Sequence, residues 1–351
     1  MPEISIVIPM HNAEKYIGDC LESISAQTFQ DFEIIVVDDC STDKSRAEVE
    51  KYSGKFGERI KLVNLQKSSD GCAGVPRNIG LQFSRGKYIC FVDSDDAITS
   101  TALEELYNLA EKFQADVVQC DKHYSTDTQH FTTDKKFLLQ RSLMTKEQLV
   151  EVPTLESENL SDRVKDLQDF KIWWTVWGKL FRRDFLILNK IKFEKLQTSE
   201  DFLFVFQCLC LSKNYLRVPN VVYIWREHSE SHSRQHSDLQ KYIRNWVTPM
   251  LSGTEFIEKF MKEIALFSEN AVYRNIVLNS FMQIHFKRLE IIYENVPLAQ
   301  VEKIIFPIFE KFGNNPTLTM LFFNLMNIYR LNFFKLKRQQ AGELAANSRH
   351  F

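Results

Sequence analysis

The chain has 351 residues, of which 44% are hydrophobic and 26% are charged, and its formal net charge is −2. This composition excludes a disordered or fibrous protein and supplies apolar side chains for one or two domains. The seven cysteines include no CxxC pair, no run of 18 apolar residues occurs, and MPEISIVIPMHN enters a strand pattern directly. We therefore expect reduced thiols, no signal peptide, no spanning helix and a cytoplasmic location.

Charge is distributed unevenly along the chain. Residues 241–351 hold 14 Lys and Arg against 9 Glu and no Asp, which leaves 30 basic against 37 acidic side chains in residues 1–240. We therefore predict two parts with different roles, divided near residue 240. A mild basic excess usually reflects a solvated helix face, and an anionic lipid surface or polyanion is the alternative.

The first 120 residues alternate between strand and helix patterns. Short β-branched runs, separated by stretches with apolar residues three and four positions apart, predict βαβ units. The predicted strands are ISIVIP (4–9), FEIIVVD (32–38), IKLVNL (60–65), KYICFVD (87–93) and ADVVQCD (115–121). We expect an α/β fold with a mainly parallel sheet, in which ligands bind at the carboxyl ends of the strands.

The pattern changes after the fifth strand. Residues 122–169 are polar and charged without a clear period, which predicts an insertion or a loop-rich excursion. SEDFLFVFQCLCLS (199–212) predicts a buried helix capped by Ser199, and NVVYIWREHSESHSRQHS (220–237) a strand running into a polar tail. Beyond about residue 240 the pattern is helical.

Two acidic clusters, Asp38-Asp39 and Asp93-Ser94-Asp95-Asp96, follow predicted strands. Capping and turn roles explain one such cluster, but two on the same sheet edge favour a binding site. Mg²⁺ and Mn²⁺ take oxygen ligands and commonly use one or two protein carboxylates, with phosphates and water completing the shell. Asp93 and Asp95 point the same way from an extended segment, and Asp96 is placed to cap the following helix. We expect a metal-bound nucleotide here.

The order of the motifs is more specific than any one of them. SIVIPMHNAEKYI is followed by IIVVDDCSTDKS, GVPRNIGLQFSRGKYICFVDSDDAI, WGKLFRRDFL and SEDFLF. In this order the sequence closely resembles the family 2 glycosyltransferases, inverting enzymes of the GT-A fold that use nucleotide-sugar donors. The resemblance is dense in motifs over residues 3–121, looser over 173–234 and absent beyond about 240.

The resemblance implies a domain organisation. Residues 1–240 would form the GT-A domain, with a nucleotide-sugar half at 1–121 and an acceptor half at 122–240. Residues 241–351 would form a helical C-terminal region.

The resemblance also implies the residues that hold the donor. Asp39 would accept the N3–H of a uracil, Asp93 would contact the ribose, and Asp95 would bind Mn²⁺ or Mg²⁺. The nucleotide-sugar set comprises Pro9, His11, Asn12, Asp39, Arg77, Asp93 and Ser94. The family usually has Tyr at the position of His11 and G-x-S-x-A-R-N where this chain reads GCAGVPRN. For Arg77 the local alternative is a helix start after Pro76.

Catalysis is assigned by resemblance to Glu200 and Asp201, which match the family's ED motif. Inversion at an anomeric carbon needs a base on the acceptor hydroxyl, and Asp201 would serve because a helix N-terminus favours an ionised carboxylate. The alternatives are that Glu200 is the base or positions the acceptor, and that both acids only cap the helix.

A polar segment and a tryptophan complete the implied site. The family often has a mobile Arg- and Ser-containing segment that closes over the diphosphate, which implies donor contacts from Arg226, His228, Ser231, Ser233 and Arg234. The alternative is a solvated loop, and no recognised spacing makes these histidines a zinc site. Trp177, in WGKL, would stack on an acceptor ring, with core packing as its alternative.

We therefore predict an inverting, metal-dependent glycosyltransferase that transfers a sugar from a UDP-sugar to a glycan or lipid-linked acceptor in bacterial surface polysaccharide synthesis, without a nucleic-acid partner. One alternative is a sugar-1-phosphate nucleotidyltransferase, which would need a glycine-rich loop where PMHNAEKY has no glycine. A non-catalytic nucleotide-binding family member is the other.

The C-terminal segment LTMLFFNLMNIYRLNFFKLKRQQ (318–340) has apolar residues at three- and four-residue intervals. Its asparagines and Arg330 argue against a spanning helix. Three placements remain open: the protein's own core, a homo-oligomer interface, and a peripheral position on the inner membrane face.

Overall fold

The structure is a computed structural model that describes residues 1–127, 131–227, 238–293, 296–312 and 315–347. The chain divides into two compact units, Met1–Arg234 and Gln235–Phe351. We call them unit 1 and unit 2.

Unit 1 is built on one sheet. Its strands are β1 (Ile4–Met10), β2 (Phe32–Asp38), β3 (Ile60–Asn64), β4 (Tyr88–Phe91), β5 (Ala97–Ile98), β6 (Val117–Asp127), β7 (Leu139–Arg141), β8 (Thr154–Leu155), β9 (Lys179–Arg182) and β10 (Tyr215–Glu227). They run in the order β3-β2-β1-β4-β9-β6-β10-β5, with β7 beside β6 and β8 beside β10.

Strand direction places several strand ends at one edge of this sheet. The long pairings of β1 with β2, β2 with β3, and β6 with β10 are parallel, as is that of β1 with β4. β9 is antiparallel to both β4 and β6, so β4 and β6 run in the same direction. The carboxyl ends of β1, β2, β4, β6 and β10 therefore share one edge. The predicted α/β class with a mainly parallel sheet is confirmed.

Helices cover the sheet. They are α1 (Ile17–Ser25), α2 (Ser45–Lys51), α3 (Ser53–Phe56), α4 (Gly74–Phe83), α5 (Ala102–Phe113), α6 (Leu160–Gln168), α7 (Arg183–Leu188) and α8 (Glu200–Leu211). Every residue of β1, β2 and β4 is buried, as expected for strands covered on both faces. Short 3₁₀ turns lie at Gly57–Arg59, Lys135–Phe137 and Lys146–Gln148.

The loop-rich excursion predicted for residues 122–169 is wrong in part. β6 continues to Asp127, and β7, β8 and α6 follow within the segment. The continuation of this strand beyond residue 121 was missed because its inward positions carry the polar residues Asp121, His123 and Ser125, all buried. Arg217 of β10 compensates the first of them, with Nη2 2.6 Å from an Asp121 carboxylate oxygen.

The predicted Ser199 cap is also corrected. α8 begins at Glu200, as the sequence indicates, but Ser199 has a φ of 66° and, within the described chain, its side chain makes no capping hydrogen bond. The left-handed conformation of Ser199 replaces the extended one that a capping serine usually adopts.

Unit 2 is helical, as predicted, with α9 (Leu239–Lys262), α10 (Ala265–Glu269), α11 (Ala271–Tyr293), α12 (Leu298–Glu310) and α13 (Pro316–Asn347). Ile243, Val247, Phe281 and Leu321 are among its fully buried residues. Within the described ranges, none of the helices has the length and apolar character of a membrane-spanning segment.

Candidate active site

The acidic loop after β4, residues 93–96, is hydrogen-bonded to β10. Asp96 accepts hydrogen bonds from the Tyr223 hydroxyl at 2.7 Å and from the Arg226 backbone N–H at 2.8 Å. Burial raises the pKa of Asp96 well above its usual value, and the charges of Asp95 and Asp93 add to this effect. The expectation that Asp96 caps the following helix is wrong, because these two groups of β10 take its carboxylate and α5 begins only at Ala102.

Arg77 joins this loop to the start of α8. Its Nη2 donates to Asp93 Oδ1 at 2.8 Å, and its Nη1 donates to Asp201 Oδ1 at 2.8 Å and to Glu200 Oε1 at 3.2 Å. Arg77 is 4% exposed. Burial alone would lower its pKa, but Asp201, Asp93 and Glu200 outweigh burial and raise it. We call these four residues the Arg77 cluster.

The carboxylates of the Arg77 cluster have raised pKa values. Burial raises the pKa of Glu200 to about 7, and the charge of Asp201 adds to it. Burial also raises the pKa of Asp201 against the opposing charge of Arg77, and the pKa of Asp93 changes in the same direction for the same reason. The helix N-terminus is expected to favour the ionised form of Asp201, and burial acts against this effect by raising the pKa. The side chain of Asp201 is 19% exposed and that of Glu200 is 11%.

The loops after β1 and β2 are hydrogen-bonded to each other at the same edge of the sheet. His11 Nδ1 lies 2.6 Å from the Asp39 carbonyl oxygen, and Asn12 Oδ1 accepts from the Thr42 backbone N–H at 2.8 Å. Asn12 has a φ of 49°, in the left-handed region that asparagine tolerates. Together with Pro9 at the end of β1, these residues form the predicted nucleobase end of the site.

The Asp39 carboxylate is held from a third segment. It accepts the Ser69 backbone N–H at 2.7 Å and also the Ser69 hydroxyl. Asp39 is 4% exposed, so its carboxylate is buried where these segments meet. Ser69 is not recognisable from the sequence, since a serine in a polar loop gives no distinguishing signal.

The comparisons with known proteins bear directly on this arrangement. The profile of "Glycosyl transferase family 2" matches residues 5–162. The uncharacterised glycosyltransferase EpsJ of Bacillus subtilis (strain 168) is 30% identical over 232 residues, which are 66% of this chain and 63% of EpsJ. Residues 5–162 therefore form a domain of glycosyl transferase family 2. The resemblance seen in the order of the motifs is therefore confirmed.

Two staphylococcal proteins are also similar to this chain. The poly(ribitol-phosphate) beta-N-acetylglucosaminyltransferase TarP of Staphylococcus aureus (strain N315) is 30% identical over 221 residues, 61% of this chain and 60% of TarP. The crystal structure of S. aureus TarS 1-349 in complex with UDP-GlcNAc matches with a TM-score of 0.63 and 21% identity, covering 97% of this chain and 92% of that one. This match confirms the GT-A fold and extends beyond residue 240, where the sequence motifs end.

The family's WGKL motif lies on a segment of stacked aromatic rings. Trp177 stacks on Tyr223 with ring centroids 4.7 Å apart and planes inclined by 14°, and His123 meets it edge-on at 5.2 Å. Trp173 and Trp174 stack on each other at 3.9 Å. Because Tyr223 covers one face of Trp177, an acceptor ring would have to use what remains exposed, and the acceptor role stays a prediction.

Arg226 is buried at the end of β10. Its Nη2 pairs with Asp19 Oδ2 at 2.9 Å, and its guanidinium carbon lies 3.6 Å from the Phe131 ring centroid and 5.1 Å from that of Tyr16. The other residues that the family resemblance places here, His228, Ser231, Ser233 and Arg234, lie outside the described residues.

The predicted metal ligand Asp95 is half-buried between Ser94 and Asp96. Among the described residues, no group of three or more His, Cys, Asp and Glu side chains is arranged to hold a metal ion. The predicted site is of another kind, in which one carboxylate and the substrate's phosphates share the cation.

Proposed function

We propose that this family 2 member transfers a sugar from a UDP-sugar, with inversion, to an acceptor hydroxyl on a bacterial surface polysaccharide. The Arg77 cluster carries the proposal, because one buried guanidinium joins Asp93, in the acidic loop after β4, to Asp201 at the start of α8. The residues assigned to the donor and to the base therefore belong to one hydrogen-bonded group.

The relatives support the substrate classes. TarS was crystallised with UDP-GlcNAc and with UDP, which supports a uridine diphosphate sugar. TarP and TarS are named as poly(ribitol-phosphate) transferases, which supports a glycan or polyol-phosphate polymer as acceptor. The chain spans 63% of EpsJ and 60% of TarP, so these assignments remain proposals for the present protein.

In the proposed reaction the acceptor oxygen attacks the anomeric carbon of the donor. The hydroxyl proton passes to Asp201, the bond between the anomeric carbon and the diphosphate oxygen breaks, and UDP leaves on the opposite face. A raised pKa suits Asp201 to this role, because a general base works best when its pKa approaches the working pH. Glu200, more deeply buried and with a pKa of about 7, is the second candidate.

The residues of the acidic loop fit a hard divalent cation. The half-buried carboxylate of Asp95 is an oxygen ligand of the type that Mn²⁺ and Mg²⁺ prefer. We propose that Asp95 holds Mn²⁺ or Mg²⁺ together with the donor diphosphate. The bound cation would offset the charge of the departing UDP.

The test is a panel of UDP-sugars incubated with the full chain and poly(ribitol phosphate) or a glycan acceptor, in Mn²⁺ and again in EDTA. We expect UDP release and labelled acceptor from one donor, both lost in EDTA and both absent from the Asp201→Asn control. Binding of UDP without turnover of any donor would favour the non-catalytic alternative. Formation of a nucleotide sugar from a sugar 1-phosphate would favour the nucleotidyltransferase.

A further inference from the structure

A buried lysine holds the aromatic segment that precedes β9. Lys179 is the first residue of β9 and is 1% exposed. Its Nζ donates to the carbonyl oxygens of Trp173 at 2.8 Å and Thr175 at 2.7 Å. An ammonium group this deeply buried is costly unless it is hydrogen-bonded and paired with opposite charge. The two carbonyl groups and the nearby charges of Lys179 are therefore the features to examine.

The second carbonyl belongs to a peptide group that also contacts Asp201. The Val176 backbone N–H donates to the Asp201 carboxylate, and the C=O of the same peptide group is that of Thr175. In a planar trans peptide the C=O and N–H point in opposite directions. A single peptide group therefore lies between the Lys179 ammonium and the Asp201 carboxylate, with its dipole aligned favourably to both charges.

The electrostatics of the two charged groups agree with this geometry. Burial lowers the pKa of Lys179 to about 7, against the opposing charge of Asp201. Burial raises the pKa of Asp201, against Arg77, the Val176 N–H and Lys179. The other titratable groups that face the pair are Glu200 and Asp93 beside Asp201, and Cys120, Asp121 and Cys208 around Lys179.

We propose that Lys179 is a positioning residue, which fixes the Thr175–Val176 peptide so that its N–H orients the Asp201 carboxylate and favours its ionised form. The inference rests on the proposed function, in which Asp201 takes the proton from the acceptor. The competing explanation is that Lys179 only ties down the Trp173–Trp177 segment. The two differ because only the first acts through Asp201.

The test compares Lys179→Met, which keeps the apolar stem, with Lys179→Gln, which keeps an NH₂ donor group without the charge. We expect the Met variant to lose about 10- to 100-fold in kcat, since small misplacements of a catalytic group have effects of this size. In both variants the acidic limb of the kcat/KM profile should move to higher pH, by roughly half a unit to one unit, because a nearby positive charge has been removed. UDP affinity should not change, which also shows that the site is folded.

A double-mutant cycle with Asp201→Asn decides between the two explanations. If Lys179 acts through Asp201, Lys179→Met should cost little further activity in the Asp201→Asn background. An equal loss in both backgrounds, an unmoved acidic limb, or failure of both Lys179 variants to fold and bind UDP would overturn the proposal in favour of a structural lysine. Wild-type turnover that survives Asp201→Asn would instead refute the base assignment of the proposed function.

Discussion

Arg77 shows how a single buried charge organises the candidate site. The family resemblance assigns it to the nucleotide, whereas the structure turns its guanidinium towards Asp93, Glu200 and Asp201 and leaves it 4% exposed. A buried charge without partners is strongly destabilising, and three carboxylates without Arg77 would repel one another. The position of the proposed base therefore depends on a residue of α4, far from it in sequence.

Replacement of Asp201 tests which acid of the ED motif is the base. Asp201→Asn keeps the size of the side chain and one acceptor oxygen but cannot accept a proton, so kcat should fall by roughly 10²–10⁴-fold, the usual contribution of a general base. UDP affinity, measured by calorimetry, should stay near that of the wild type. Glu200→Gln is the matched control and should cost much less. A large loss in Glu200→Gln with activity retained in Asp201→Asn would move the role to Glu200.

Asp95 is tested by its effect on metal-dependent binding. Asp95→Ala removes the proposed cation ligand, so UDP affinity should lose its dependence on Mn²⁺ while the thermal stability of the protein changes little. Calorimetry with UDP, with and without Mn²⁺, measures this. Asp184→Ala is the control, because the Asp184 side chain is 80% exposed. An Asp95 variant that keeps the full Mn²⁺ effect would exclude Asp95 from the metal site.

At the scale of strands and helices, the sequence predicted the elements whose pattern reflects burial alone. The apolar runs of β1, β2 and β4 and the dense helix α8 were found because their hydrophobic period is unbroken. β6 was cut short at residue 121 because its inward side chains are polar and paired across the sheet, as Asp121 is with Arg217. Such pairs depend on contacts between distant segments, which local periodicity does not carry.

In the candidate site, too, local sequence patterns predicted some residues and contacts between distant segments concealed others. The order of the motifs predicted Asp93, Asp95 and Asp201 as site residues, and the structure brings two of them, Asp93 and Asp201, together around Arg77. Ser69 and Lys179 were missed because each acts through backbone groups that any residue supplies. A lysine at the head of an otherwise apolar strand, as in WGKLF, is the signal that could have identified the second.

The packing of α4 on β1 provides a prediction at this scale. A Cβ at Gly80 would lie 2.3 Å from Val7 Cγ1, and Val7 is fully buried with a stiff β-branched side chain. Gly80→Ala should therefore destabilise the protein by about 1–3 kcal/mol, despite the better helix propensity of alanine.

The matched control for Gly80 is Gly54 in α3. A Cβ at Gly54 meets no described atom within 4 Å, so Gly54→Ala should be neutral or slightly stabilising. Chemical unfolding of both variants gives the comparison. Equal stabilities would show that α4 can move away from β1 at little cost.

At the scale of the whole molecule, α13 has one face that packs and another that is exposed. Leu318, Leu321 and Met326 are buried, which places the first half of the helix in the core of unit 2. The exposed large apolar residues of α13 are Met320, Phe323, Leu331 and Phe334. Of the three placements predicted for this segment, the structure supports core packing for the buried face. A homo-oligomer interface and a peripheral membrane contact remain proposals for the exposed one.

Two leucine variants in α13 distinguish the contribution of its buried face from that of its exposed face. Leu321 is fully buried, so Leu321→Ala should lower the stability of the protein by about 2–5 kcal/mol through the cavity it leaves. Leu331 is 61% exposed, and Leu331→Ala should change stability by no more than about 0.5 kcal/mol. UDP affinity should be unchanged in both, because every described residue of the candidate site lies in unit 1. The measurements are chemical unfolding and calorimetry with UDP.

Elution volume and vesicle sedimentation of the Leu331→Ala variant test what covers the exposed face of α13. If a second copy of the chain covers it, Leu331→Ala should shift the elution of the wild-type assembly towards the monomer, with a stability loss that depends on protein concentration. If anionic lipid covers it, Leu331→Ala should reduce sedimentation with anionic vesicles while elution stays the same. A wild-type protein that elutes as a monomer and ignores such vesicles would refute both proposals. The exposed leucine would then be an ordinary surface residue, since isolated apolar side chains are common on protein surfaces.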